Sequence, residues 1–266
     1  MKIKWKLAKK LDIGLTNKNY FYKNKIIRES ELSNNNFLDH NNEILVLKYV
    51  KKLNVPVINY FYENKKFYYV TKFIKNTNNF YEISLNSTII KSAAKIIKKL
   101  HKIKTDTNIK IWDWKYQLNN FKILVKKPLH NLENNEKKVI NFFKNYQPKK
   151  ITLCHNDLVP GNFLITNKYK KIYLIDYEYA MLNDPLFDIA SFISETLYKY
   201  KWLINYFLEQ FNLNLKDKEI IFWWIQYQNI IWYYWANYFW ELTKNDIYYQ
   251  ILNEKWKALN EKWKLG

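Results

Sequence analysis

The chain has 266 residues, 48% of them hydrophobic and 19% aromatic, which supplies a large core and excludes an intrinsically disordered protein. Its formal charge is +20, yet no run of Lys or Arg exceeds three residues, so a basic tail is excluded. Lys, Asn, Ile, Tyr and Phe are abundant and there are only 3 glycines, a pattern of A- and T-rich codons that makes much of the charge a set of solvated lysine faces. Affinity for nucleic acid or an anionic membrane is the other meaning of such a balance. The single cysteine, Cys154, rules out an internal disulfide and suits a reducing compartment. It ends an apolar run, so a buried thiol is expected rather than a nucleophile. Met1–Lys10 is basic with no apolar segment behind it, so the expectation is a cytoplasmic protein without a secretory leader.

Residues 1–12 are a basic lead-in with weak helical spacing, and Asp12–Tyr20 is rich in turn formers. Tyr20–Glu29 reads as a strand pair turning at Lys23-Asn24-Lys25, and Ser30–Asn36 as a polar loop. Phe37–Lys52 has helical spacing and contains Glu43. Val55–Tyr62 and Lys66–Ile74 form a hairpin across Glu63-Asn64-Lys65, and Lys75–Asn79 is a polar hinge. That hinge divides an N-terminal part, residues 1–74, from a C-terminal part, residues 75–266. The second part is mostly helical. A helix capped by Asn86 or Ser87 runs to Lys104 with a stripe of Ile89, Ile90, Ala93, Ile96, Ile97 and Leu100. Further helices are expected over 112–125, 133–146, 186–212, 217–242 and 245–264. Ile220–Trp240 is free of charge, but its Gln and Asn residues and its many Trp and Tyr favour a buried aromatic helix over a membrane span. Strands first and helices later give an α+β chain with two lobes.

Between them lies Ile151–Glu195, where acids gather against the global trend. Residues 155–195 hold six acids and three lysines. Such a cluster suits a cation, either a metal or a positively charged substrate. His155-Asn156-Asp157-x4-Asn162, with Asp176 fourteen residues later, follows the layout of phosphotransferases, in which a catalytic-loop aspartate and asparagine precede a metal-binding aspartate. A carboxylate at Asp157 can accept a hydroxyl proton. The oxygens of Asn162 and Asp176 are hard donors suited to Mg²⁺, and the intervening Phe163–Thr166 and Ile172–Ile175 runs form a hairpin between them. A loop with capping Asp and Asn residues is the plainer alternative.

The extended pattern Ile175-Asp176-Tyr177-Glu178-Tyr179-x3-Asn183-x3-Phe187-Asp188-x6-Glu195 resembles choline/ethanolamine kinases, which share a fold with aminoglycoside phosphotransferases and protein kinases. That resemblance implies a bilobal protein-kinase-like fold, with a small N-terminal antiparallel sheet lobe carrying one helix and a larger, mostly helical C-terminal lobe. It implies Asp157 as the base, Asn162 and Asp176 as Mg²⁺ ligands, and His155 and Asp188 as support for the loop. It places Glu195 beside an ammonium group, with Tyr179, Trp232 and Trp235 as aromatic walls. Helical spacing sets Glu195 two turns beyond Asp188, on the same face, and makes Trp232 and Trp235 neighbours. Gly14-Leu15-Thr16-Asn17-Lys18-Asn19-Tyr20 resembles the family's phosphate loop, so Thr16 and Asn17 would grip ATP. Arg28, at the end of the next strand, would replace the kinase lysine and pair with Glu43. Lys72 and Ile74 would meet adenine through their backbone. Glu178 belongs to the pattern, its role open.

The function implied is ATP- and Mg²⁺-dependent phosphorylation of choline or a similar amino-alcohol. Another small-molecule kinase of the same fold, with ethanolamine, thiamine or an aminoglycoside as acceptor, is the near alternative. A non-catalytic basic protein that binds nucleic acid is the distant one, and it leaves the acidic cluster without a purpose. No nucleic-acid partner and no membrane span are expected.

Overall fold

The computed structural model describes residues 3–11, 14–15, 17–31, 38–105, 108–166 and 171–261. In chain order, the strands β1 (Lys9–Leu11), β2 (Lys18–Phe21) and β3 (Lys25–Glu31) precede α1 (His40–Tyr49), β4 (Val57–Glu63), β5 (Lys66–Lys72) and β6 (Thr77–Asn79). Helices α2 (Ser87–Leu100), α3 (Trp114–Leu124) and α4 (Glu133–Phe143) come next, then β7 (Thr152–Cys154), β8 (Phe163–Thr166), β9 (Ile172–Leu174) and β10 (Met181–Asn183). Helices α5 (Pro185–Ser191), α6 (Ile204–Leu208), α7 (Leu215–Thr243) and α8 (Asp246–Asn260) follow. The chain forms two compact units, Met1–Leu85 with Pro160–Tyr179 and Asn86–Val159 with Ala180–Gly266. A single cut after Ile74 therefore does not describe the division, because the β8–β9 hairpin belongs with the first unit.

The first unit is built on an antiparallel sheet of order β1-β2-β3-β5-β4. Its two tight hairpins use two-residue turns in which both residues have positive φ, Lys23 and Asn24 at 47° and 57°, and Asn64 and Lys65 at 50° and 58°. That is the turn whose twist matches paired strands. Side chains alternate across β3. Ile27 faces a core of Tyr22, Tyr68 and Val70, while Arg28 points to the opposite face. Helix α1 covers that opposite face, where His40 stacks on Phe67 with ring centroids 4.4 Å apart. The basic lead-in holds a single 3-10 turn and a strand rather than a helix, since Lys9–Leu11 pairs with Asn19–Phe21. The expected hinge likewise contains β6, which pairs with β8 in a three-stranded sheet.

The second unit is organised on α7, whose N-terminus carries a reciprocal capping box between Asn214 and Asp217. Most of the charge-free segment is buried, and its amides bond to the chain: Gln228 donates to the Phe187 carbonyl at 2.9 Å, and Asn237 accepts from Leu129 N–H at 3.1 Å. Among the described residues no helix is long and apolar enough to cross a membrane. Trp224 packs on Phe143 at 4.1 Å and donates its indole N–H to Asp184, which also accepts from the Tyr146 hydroxyl and caps α5. The helix expected over 186–212 is broken: α5 ends at Ser191, a π-turn occupies Phe192–Thr196, and α6 begins only at Ile204.

The Asn64-Lys65 turn generates a prediction. A lysine in the left-handed region carries a steric cost that glycine does not, so Lys65→Gly stabilises the protein by about 0.5–1 kcal/mol. Urea denaturation midpoints at constant m-value measure the gain.

Candidate active site

The β-alternation that turns Ile27 into the core delivers Arg28 to the face under α1, mid-strand rather than at the strand end. Its guanidinium forms ion pairs with Glu43 and Asp176 and lies 3.7 Å from Glu178, while its charge sits 5.1 Å from the centre of the Tyr69 ring. Burial opposes the charge of Arg28, but Glu43, Asp176 and Glu178 outweigh that cost and raise its pKa. Burial also opposes ionisation of Glu43, yet Arg28 and the hydrogen-bonded His40 ring hold its carboxyl below the ordinary value. Glu178 goes the other way: burial and the neighbouring Asp176 push it well above the usual carboxylate range, more strongly than Arg28 pulls it down. Glu178 accepts a hydrogen bond from Asn17 at 3.0 Å, and Asn17 in turn accepts one from the Ser30 hydroxyl at 2.5 Å. This gives Glu178 the structural task of fixing Asn17. Thr16 lies outside the described residues.

Asn162 and Asp176 are brought together by the β8–β9 hairpin. Phe163 pairs with Leu174, and Ile175 donates its N–H to the Asn162 carbonyl at 3.0 Å, so Asp176 follows directly on the residue bonded to Asn162. Asp176 takes φ of 66°, a conformation that Asp tolerates better than most side chains. Its side chain is 31% exposed, whereas those of Arg28, Glu43 and Glu178 are almost fully buried. An amide and a carboxylate on adjacent strand ends form an oxygen donor set that fits Mg²⁺. At the proposed adenine-contacting segment, the Lys72 N–H donates to the Pro56 carbonyl at 2.9 Å, and the Ile74 carbonyl accepts from the Thr77 hydroxyl at 3.2 Å.

In the second unit, the backbone around Asp157 is clamped from both sides. The buried Asp188 carboxylate accepts the N–H groups of His155 at 2.9 Å and Asn156 at 2.8 Å. Ser191 accepts the Leu158 N–H at 2.9 Å, and the Thr196 hydroxyl donates to the Leu158 carbonyl at 2.8 Å. Asn156 has φ of 65° and accepts a hydrogen bond from Asn183 at 2.9 Å. His101, the C-cap of α2, places Nε2 2.8 Å from Asp188. Sequence reasoning missed Ser191, Thr196 and His101. Ser191 carried a signal, since it lies one helical turn after Asp188; His101 carried none, being 87 residues distant from its partner. The trio His101, Cys154 and Asp188 has its donor atoms within 4.8 Å of one another. It makes a poor metal centre: burial and Asp188 push the thiol well up, and both Asp188 oxygens are engaged by N–H groups.

Glu195 sits in the π-turn, which adds a residue to the helical path and breaks the simple two-turn phase with Asp188. Its carboxylate is paired with Lys255 of α8 at 2.5 Å and accepts from the Ser194 hydroxyl at 3.1 Å. Trp232 and Trp235 meet edge-to-face, 6.2 Å between centroids, and Trp235 also contacts Phe239 and, across to α8, Tyr248 at 5.5 Å. Tyr179 is buried and belongs to the first unit, whereas Glu195 and the Trp pair belong to the second.

The Arg28 cluster generates a stability prediction. In Arg28→Met, Glu43, Asp176 and Glu178 face one another without their cation, and stability at neutral pH falls by about 3–5 kcal/mol. The folded carboxyls then titrate above their unfolded values, so the folded state binds extra protons as pH drops. The deficit relative to the unsubstituted protein therefore narrows between pH 7 and pH 5, as denaturation curves at the two pH values would measure.

The family model described as choline/ethanolamine kinase matches residues 21–226. Protein LicA of Haemophilus influenzae is 57% identical over 42 residues, which are 16% of this chain and 15% of that protein, so the chain aligns with only a small part of that relative's length. Among solved structures, choline kinase LicA from Streptococcus pneumoniae superposes with a TM-score of 0.71 at 21% identity, covering 95% of this chain and 92% of that one. The ethanolamine kinase of Plasmodium vivax gives a TM-score of 0.71 at 19% identity, over 96% of this chain and 82% of that one. Such likeness establishes the protein-kinase-like fold, an N-terminal antiparallel sheet followed by a mostly helical part. Taken with the family match over most of its length, it means that this chain belongs to the choline/ethanolamine kinase family.

Proposed function

We propose that the protein transfers the γ-phosphoryl group of ATP to the hydroxyl of choline, giving phosphocholine. The observation that carries this reading is the Arg28 cluster: a strand cation paired with a helix glutamate, and reaching a carboxylate of the expected metal-binding hairpin, is the constellation that kinases require for phosphoryl transfer. Asn17, held by Glu178 and Ser30, presents its loop to the nucleotide phosphates. Asp157 orients the acceptor hydroxyl and takes its proton, and the clamp of Asp188, Ser191 and Thr196 holds the backbone that carries it. Asn162 and Asp176 would hold Mg²⁺, which when bound supplies the positive charge that neutralises the transferring phosphoryl group. On the acceptor side, the edge-to-face Trp pair offers aromatic surface that attracts a quaternary ammonium, worth roughly 0.5–2 kcal/mol per contact. That attraction favours choline over ethanolamine, which is the alternative acceptor. A buried thiol as sole cysteine suits a reducing cytoplasm.

Coupled ADP detection with choline, ethanolamine, thiamine and kanamycin tests the reading. Choline is expected to be turned over with the highest kcat/KM, and turnover confined to kanamycin would overturn the choice of acceptor. Asp157→Asn is expected to lower kcat by about 10²–10⁴ while leaving the KM for ATP within about twofold. Trp235→Leu should raise the KM for choline more than that for ATP; equal changes in both would remove Trp235 from the acceptor site.

A further inference from the structure

Lys255 is buried on α8, on the face that also carries Tyr248, Leu252 and Leu259. Its ammonium makes a 2.5 Å charge-assisted hydrogen bond to Glu195, with side-chain exposures of 10% and 11% for the two partners. Two turns away on the same helix face, Tyr248 meets the edge of Trp235. The chain thus places a primary ammonium of its own on the carboxylate that the family resemblance sets beside the acceptor's cationic head.

We propose that Lys255 is a specificity-determining residue: an internal ammonium that competes with the cationic head of the acceptor for Glu195. The inference rests on the amino-alcohol reading above and adds a residue and a mechanism to it. A buried carboxylate must be paired, and Lys255 meets that need when no acceptor is bound. A second monocation arriving at the same carboxylate meets the repulsion of the first, so acceptor binding and the Lys255–Glu195 pair each weaken the other. Lysine suits such an exchange better than arginine, because its compact charge rides on a flexible four-carbon stem and makes one point contact rather than a fixed fork. The exchange also distinguishes acceptors. A primary ammonium returns to Glu195 the N–H donor that Lys255 withdraws, whereas a trimethylammonium has no N–H and depends on the aromatic faces. Lys255 therefore weakens binding of both, and weakens it more for the quaternary head.

Removing the internal cation tests this. Lys255→Met is expected to lose thermal stability, because Glu195 is left buried and unpaired, and to regain it on addition of choline, with a larger choline-induced rise in Tm than the unsubstituted protein shows. Its KM for choline is expected to fall about tenfold, the KM for ethanolamine less, and the KM for ATP not at all. Lys255→Gln, which keeps a hydrogen bond to Glu195 without the charge, gives the same direction in a variant with less stability to lose. In a Glu195→Gln background, Lys255→Met is expected to leave the choline KM unchanged. An unchanged or raised choline KM in both Lys255 variants, with the unsubstituted protein active on choline, would overturn the inference and leave the acceptor reading standing. Absence of turnover with any amino-alcohol in the unsubstituted protein would overturn both.

Discussion

Three carboxylates converge on the guanidinium of Arg28, and the chemistry open to the first unit depends on that imbalance of charge. Glu43 and Glu178 are buried, and Asp176 keeps a partly exposed side chain. Arg28 stabilises Glu43 as an anion from a distance short enough to overcome burial, but it stands farther from Glu178, whose carboxyl is raised by burial and by Asp176. An acid-rich cluster around one cation favours a further positive charge, and the residue most open to supply a ligand is Asp176. The hairpin register that sets Asn162 beside Ile175 adds an amide oxygen to the same strand ends. Positioning here is a consequence of strand alternation on β3 and of hairpin pairing, both of which are rigid devices.

The second unit solves a different electrostatic problem. Asp188 is a fully buried carboxylate, and it is satisfied by two backbone N–H groups and a histidine rather than by a lysine or arginine. Its negative charge is spent on holding the peptide groups just before Asp157, while Ser191 and Thr196 hold those just after it. The π-turn is part of this arrangement: it carries Thr196 to the Leu158 carbonyl and Glu195 to Lys255. The helical break that sequence periodicity did not reveal thus carries both a bond to the loop around Asp157 and the ion pair to α8.

Local patterns made much of this legible. The Asn86 cap and the apolar stripe of α2, the hairpin at Asn64-Lys65 and the buried aromatic helix α7 all follow from residue type and spacing within a single turn or strand. The acidic pattern from His155 to Glu195 carried the family resemblance, because kinase chemistry demands those residue types at near-fixed separations. Failures occurred where local signals were weak or contradicted. Lys9–Leu11 and Thr77–Asn79 have little strand propensity of their own and become strands only by pairing with Asn19–Phe21 and Leu164–Thr166.

By itself, the order of residues determined the α+β class, most helices, the hairpins and the identity of the acids gathered after His155, since each depends on neighbours within a few positions. Partnership was decided by the tertiary structure. Arg28 finds Asp176 across 148 residues, His101 finds Asp188 across 87, and Lys255 finds Glu195 across 60. No short window encodes such pairs, because a buried charge selects whatever counter-charge the packed chain brings within reach, and that choice exists only once the chain is folded.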